Sequence, residues 1–414
     1  MLNKGQKAIS KELRAKSREQ IINSAGQKAN CENPMLFVLR SKLIVFFFFL
    51  FALCRLLYVS SLEAKITGNC SNCHTMHNSQ NGSSMNFDGS TTPNEVLLRA
   101  TCLGCHSATN GTTWKDPITK APIVFNTSAP QYGASSDGGT TPQGLAGGNF
   151  YWVQTEDTKG HNVFANDPDD NLSVAPGTWG FSTCGTNACH GNIHGTVSGC
   201  SNANLNGRQG CTKCHMMSDS GKTSGYHHAD DGTGTKYVNT QAKGWYRFIS
   251  GHETGNGHGV EGIEDEDWQK TSSATDHNEY LGVITDKTST SLLYMTHTTT
   301  GFCCGCHGMF HHQDSTGTGA SPWLMHPADF TLPTSGEYAA YTTYDPLVSV
   351  ARPSGFNWAG GPSSTVSGAN GDMVMCLSCH RAHGSPYFKM LRWDYKGWPG
   401  NGLASGCNVC HTSK

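Results

Sequence analysis

One unbroken apolar stretch, LIVFFFFLFAL from Leu43 to Leu53, interrupts a chain that is otherwise polar almost throughout. Arg40 and Lys42 precede it, Arg55 cuts off its extension, and small residues follow at Ser60, Ser61 and Ala64. That order is the order of a secretory signal, and the run is short for a membrane span. Beyond it, no long segment repeats with the period of a helix or a strand. The stretches 107–183, 216–302 and 308–375 are rich in Gly, Ser, Thr and Asn. Loops of such length argue against an ordinary compact domain.

Residues 1–34 are polar and basic and lie ahead of a second methionine, Met35. A start at Met35 gives a signal of conventional length. The expected organisation is therefore a non-translated or leader extension over 1–34, a signal peptide over 35–64 and one domain over 65–414. A genuine long leader or cytoplasmic tail is the alternative. Cleavage after Ser61 and cleavage after Ala64 both fit.

Composition sharpens the question of what holds such a chain together. Hydrophobic residues make up 36% of the 414, and glycine alone fills 49 positions. So little apolar side chain would not normally offset the conformational entropy of folding, so something other than side chains is expected to supply the core. Basic residues number 29 and acidic residues 31, but the excess of basic ones lies in residues 1–64. The remainder is acidic and lacks the basic patch that nucleic acid requires, which excludes nucleic acid as a partner.

The 18 cysteines and 20 histidines identify the missing core. Six segments read Cys-x-x-Cys-His: Cys70-Cys73-His74, Cys102-Cys105-His106, Cys211-Cys214-His215, Cys303-Cys306-His307, Cys376-Cys379-His380 and Cys407-Cys410-His411. Two thiols one helical turn apart can both add to the vinyl groups on one edge of a haem, and the histidine that follows lies under the iron. Zinc sites also use paired cysteines, but they have little use for a histidine after every pair. A seventh segment, Cys184-Gly-Thr-Asn-Ala-Cys189-His190, has the longer spacing that tetrahaem cytochromes of the c3 kind also use. Its continuation CHGNIHG parallels CHGMFHH at 306–312. The alternative is a structural Cys184 without haem. Seven c-type haems are expected, about one for every fifty residues of the exported chain. Cys200 and Cys304 are left over and could pair in an exported chain.

Seven histidines are thus proximal ligands: His74, His106, His190, His215, His307, His380 and His411. Thirteen remain, enough for a second imidazole on every iron, and histidine is expected on at least six haems in preference to methionine. Bis-histidine ligation fills both iron faces, lowers the potential and leaves electron transfer as the chemistry. Distal candidates are His77, His161, His194, His227, His252, His277, His311, His326 and His383. His77, His194, His311 and His383 lie three or four residues after a proximal histidine, on its side of the haem, so each is expected to serve a different haem or none. The expected fold is mostly irregular coil with short helices at the motifs and few strands, wrapped around a stacked multihaem array. No CxxCK motif marks an open catalytic haem, so an electron carrier is expected rather than an enzyme. A multihaem reductase or a soluble periplasmic carrier is the alternative.

The strings CSNCHTMHNS at 70–79 and CLSCHRAHGSP at 376–386, with CNVCH near the C-terminus, resemble the filament-forming extracellular multihaem cytochromes of the OmcS type. KGHN at 159–162 and CHGMFH with MHPAD within 306–329 are similar too. The resemblance touches most of residues 66–414. It implies bis-histidine haems, a place at the cell surface or outside it, and head-to-tail polymerisation with copies of itself. It also implies other multihaem cytochromes and extracellular electron acceptors as partners. It assigns to His77 the donation of a ligand between subunits. This chain differs in having seven motifs where that pattern has six.

Overall fold

The computed structural model describes residues 69–85, 91–95, 97–99, 102–130, 145–164, 175–177, 193–196, 198, 207–215, 236–240, 243–250, 259–284, 296–311, 326, 328–394 and 406–413. The chain divides into two units, Met1–Ser61 and Leu62–Lys414, and every described residue belongs to the second. The apolar run at 43–53, the Cys184–His190 segment, Cys200, His227 and His252 lie outside the described residues.

Most of the described residues are irregular, with short helices and short strands. Four of the five α-helices among the described residues coincide with Cys-His motifs: α1 Leu103–His106, α3 Thr299–His311, α4 Cys376–Cys379 and α5 Cys407–Cys410. The fifth, α2, covers Tyr151–Thr155. At the motifs beginning Cys70 and Cys211 the turn is a 3-10 helix, over Cys70–Asn72 and Gly210–Lys213. The cause is local. In five motifs the histidine N–H donates to the carbonyl of the first cysteine, at 2.8 to 3.1 Å, closing one helical turn. That turn sets both thiols and the imidazole on one side of the chain.

Ten strands of two or three residues appear among the described residues. β1 Ser79–Gln80 and β2 Ser83–Ser84 form an antiparallel pair, and β3 Ser107–Ala108 runs parallel to β4 Phe125–Asn126. The other six make one sheet: β5 Tyr237–Val238, β6 Gly262–Ile263, β7 Glu279–Leu281, β8 Phe330–Thr331, β9 Ala351–Arg352 and β10 Met373–Val374. Their order is β5-β6-β7-β9-β10-β8, and only β7 and β9 pair in parallel, with Tyr280 opposite Ala351. The sheet lies within segments that read as loops, because strands this short carry no alternation a sequence can display.

Side chains contribute more core than composition suggested. Val238, Tyr246, Val260, Tyr280, Ala351, Met373 and Met375 pack on the sheet, against Phe302 and Leu377 of motif helices. A second cluster around Tyr341, Tyr344, Val348, Val350 and Trp393 reaches Cys379, Cys407 and Cys410. A third, Phe125, Phe150 and Val153, meets Leu103 at α1. Each apolar cluster therefore borders a cysteine motif.

A buried ion network ties the sheet together. The Arg352 guanidinium donates from Nε and Nη2 to both oxygens of Glu279, at 2.8 and 3.0 Å, and from Nη1 to Asp372 at 2.9 Å. Its remaining N–H groups meet the carbonyls of Thr365 and Ser363. All five donors are used, which is the condition for a buried guanidinium to be tolerated.

Candidate functional site

In all six described motifs the motif histidine is oriented by an acceptor at Nδ1. His74 is held by Leu97 O at 3.3 Å, His106 by Pro122 O at 2.8 Å and His215 by Arg247 O at 2.8 Å. His307 is held by Pro176 O at 2.6 Å, His380 by Lys389 O at 2.9 Å and His411 by the Glu337 carboxylate at 3.1 Å. An acceptor at Nδ1 fixes the proton there and turns Nε2 into the coordinating nitrogen, the usual outer-shell arrangement of a metal-binding histidine.

Three of these histidines face a second histidine from elsewhere in the chain. The ring centroids of His215 and His383 are 5.9 Å apart, those of His161 and His307 6.0 Å, and those of His326 and His411 6.4 Å. Imidazole nitrogens bind a transition metal at about 2 Å, so two rings on opposite sides of one ion have centroids about 6 Å apart. The pairs have that spacing. The donor set therefore fits a haem iron, with Cys211 and Cys214, Cys303 and Cys306, and Cys407 and Cys410 as the thiols beside each pair.

His161 and His383 are placed by a single junction. His161 Nδ1–H donates to Ala382 O at 2.6 Å, while His383 N–H donates to Gly147 O at 2.7 Å. Ser385 N–H donates to Lys159 O at 2.9 Å, and Gly384 bridges both Gly148 and Gly160. The crossing admits no side chain at Gly384, where a Cβ would stand 2.8 Å from the carbonyl oxygens of Asn149 and Lys159. The His383 ring stacks on Phe150, with centroids 4.6 Å apart.

Electrostatics keep these rings neutral, as ligation requires. Desolvation holds His161, His215 and His380 below the ordinary imidazole range. It pushes His383 down to about 3, with the neighbouring His215, His161 and His106 adding to the effect. The thiols of different motifs also approach one another: Cys102 hydrogen-bonds Cys211, and Cys303 hydrogen-bonds Cys376. Motifs distant in sequence thus converge in pairs.

The remaining distal candidates divide. His77 is exposed, with Nδ1 2.6 Å from Asn94 O and a backbone φ of 49°, beside Met76, whose side chain is 75% exposed. His194 is half-buried, and the side chain of His311 lies outside what is described. His277 is different. It is fully buried, its Nδ1 meets Ser273 O at 3.0 Å, its Nε2 meets Glu279 at 3.1 Å, and its ring stacks on Tyr344 at 3.5 Å. Both nitrogens are occupied, so neither is available to iron. His297, absent from the distal shortlist, has the features of one: Nδ1 lies 2.8 Å from Gly259 O and the ring stacks on Trp245 at 5.2 Å. Nothing in the local sequence marks it, since the Gly259 carbonyl that orients it lies far away along the chain.

Comparison with known proteins agrees with the chemistry of the motifs. The family described as a doubled CXXCH motif matches residues 368–414, which hold the last two motifs. The C-type cytochrome OmcS of Geobacter sulfurreducens is 25% identical over 379 residues, covering 78% of each chain. Two solved structures are also similar. The Outer Membrane Cytochrome S filament from Geobacter sulfurreducens has a TM-score of 0.39 at 19% identity, over 80% of this chain and 84% of that one. The OmcS nanowires, determined by cryo-EM, have a TM-score of 0.37 at 19% identity, over 79% and 84%. Over most of its length the chain resembles an OmcS-like multihaem c-type cytochrome.

Proposed function

We propose that the chain is an exported cytochrome that carries electrons along a row of seven covalently attached haems, outside the cell or at its surface. Each haem iron supplies one-electron exchange between its ferric and ferrous states. The observation that carries the reading is the set of three histidine pairs at 5.9 to 6.4 Å, each with a motif histidine as one member.

In this reading the cysteines of each motif hold the haem edge, and His74, His106, His190, His215, His307, His380 and His411 are proximal ligands. His383, His161 and His326 complete the sites of His215, His307 and His411. His194, His227, His252, His297 and His311 are left for the other sites, while His277 belongs to the sheet. The main-chain carbonyls at Nδ1 orient the rings, and the apolar clusters bordering the motifs exclude water. Held between two imidazoles of this chain, each haem would offer no open iron site, so the reading is of a protein that moves electrons and does not catalyse.

Copies of the chain join head to tail, with His77 donated from its exposed turn to a neighbouring subunit. A ligand given in that way repeats without closing, which produces an open filament. Other multihaem cytochromes and extracellular acceptors are the partners at its ends. Residues 35–64 direct export and are removed.

The electron paramagnetic resonance spectrum of the natively produced protein tests the ligation. All ferric haems should be six-coordinate and low-spin, and carbon monoxide should scarcely bind the reduced form. A strong high-spin signal, or rapid reduction of nitrite, would point to a reductase with an open haem instead.

A further inference from the structure

Arg392 is buried, with 3% of its surface exposed, beside the motif of Cys376, Cys379 and His380. Its main-chain N–H donates to Cys379 O at 2.8 Å. Its guanidinium donates to Leu377 O at 3.3 Å and Pro346 O at 2.8 Å, and Nε is buried with no hydrogen bond. Among the described residues only carbonyls receive its hydrogen bonds. Arg352, equally buried, is met by two carboxylates. A second buried guanidinium, Arg381, donates to the carbonyls of Leu145 and Ala146 and lies close enough to Arg392 for the two charges to oppose each other.

Two backbone carbonyls could be satisfied by a neutral amide, so hydrogen bonding alone does not account for a full charge at this place. Among the described residues no carboxylate meets Arg392, so its charge is not offset there by an acid of this chain. The segment that carries Arg392 is also the one that orients His380: Lys389 O accepts at His380 Nδ1, and Arg381 N–H donates to Met390 O. The charge therefore belongs to the same structural unit as the axial ligand.

We propose that Arg392 raises the reduction potential of the haem held by Cys376, Cys379 and His380. An electron arriving from a neighbouring haem lowers the net charge of that centre by one, and a fixed positive charge nearby favours the reduced form. At the effective dielectric of a protein interior, an adjacent unit charge changes such an equilibrium by about tenfold. The haem at this motif becomes a resting place for electrons within the row. The proposal depends on the electron-transfer reading above.

Redox titration of the natively produced holoprotein, followed by visible absorption, tests it with R392Q and R392K. In R392Q one haem should become about tenfold harder to reduce, a step about 59 mV lower for one electron. The other steps, the haem content by intact mass and the low-spin spectrum should not change. R392K keeps the charge and should titrate with the unaltered protein. Equal shifts in both variants, no shift in either, or failure of R392Q to mature with its haems would overturn the proposal. In the last case Arg392 is a structural staple. Absence of haem from the unaltered protein would instead refute the electron-transfer reading itself.

Discussion

His161 is hydrogen-bonded through Nδ1 to the main-chain carbonyl of Ala382, 2.6 Å away. The next residue, His383, faces His215, while His161 faces His307. One crossing of two loops therefore places imidazoles at two separate candidate sites. The distance between those sites is set by backbone contacts and not by flexible side chains. In the proposed row of haems, this junction would fix the spacing between the two centres.

Substituting Gly384 with alanine should disturb both sites together. The new Cβ would press on the carbonyls of Asn149 and Lys159, and relief requires the loops to separate. Electron paramagnetic resonance should show two haems per chain losing their low-spin signals, with a loss of stability of about 1–3 kcal/mol. A loss confined to one haem would mean that the two histidines are positioned independently.

Replacing His277 with alanine should leave the haem spectra unchanged and lower stability by about 2–5 kcal/mol, since Glu279 and Ser273 lose a buried partner and a cavity opens beside Tyr344. Denaturant unfolding and the visible spectrum together measure both effects. A haem that turns high-spin in this variant would return His277 to the set of iron ligands.

The Glu279 site predicts a particular pH dependence. Burial alone would raise the Glu279 carboxyl, but hydrogen bonds from His277 and Arg352 hold it below the ordinary glutamate range. A carboxyl depressed in the folded state contributes stability above its unfolded pKa, and that contribution is lost as pH falls through the folded value. Glu279→Gln should be less stable than the unaltered protein by about 3–5 kcal/mol at neutral pH. The gap should narrow as pH drops below about 4. A gap that stays constant down to pH 2 would mean that Glu279 carries no charge in the fold.

His77 is the site for testing assembly. Its ring is exposed on a left-handed turn beside an exposed methionine, so removing it should cost the subunit fold less than about 0.5 kcal/mol. His77→Ala should leave one haem per subunit wrongly ligated and yield short or monomeric species in electron micrographs. Long ordered filaments with normal spectra would show that His77 does not link subunits.

What the sequence revealed and what it concealed follow from the range of the interactions. Covalent attachment demands a fixed local spacing, so Cys376, Cys379 and His380 are legible as a unit, and the helical turn follows from that spacing. The partner of a motif histidine has no such constraint. His161 meets His307 and His326 meets His411 only because the intervening chain folds back. The role of His277 was hidden for the same reason. Glu279 stands two residues away, but Arg352, which makes that carboxylate part of a network, comes from another strand. The sheet itself could not be read, because pairings such as Tyr280 with Ala351 involve strands too short for a period.

The intact mass of the natively exported protein, measured with N-terminal sequencing, tests the central claim most directly. The mass should exceed that of the processed polypeptide, beginning between Leu62 and Lys65, by seven haem units. Six units would remove the Cys184–Cys189 segment from the haem sites. A mass equal to that of the bare polypeptide would contradict the account as a whole.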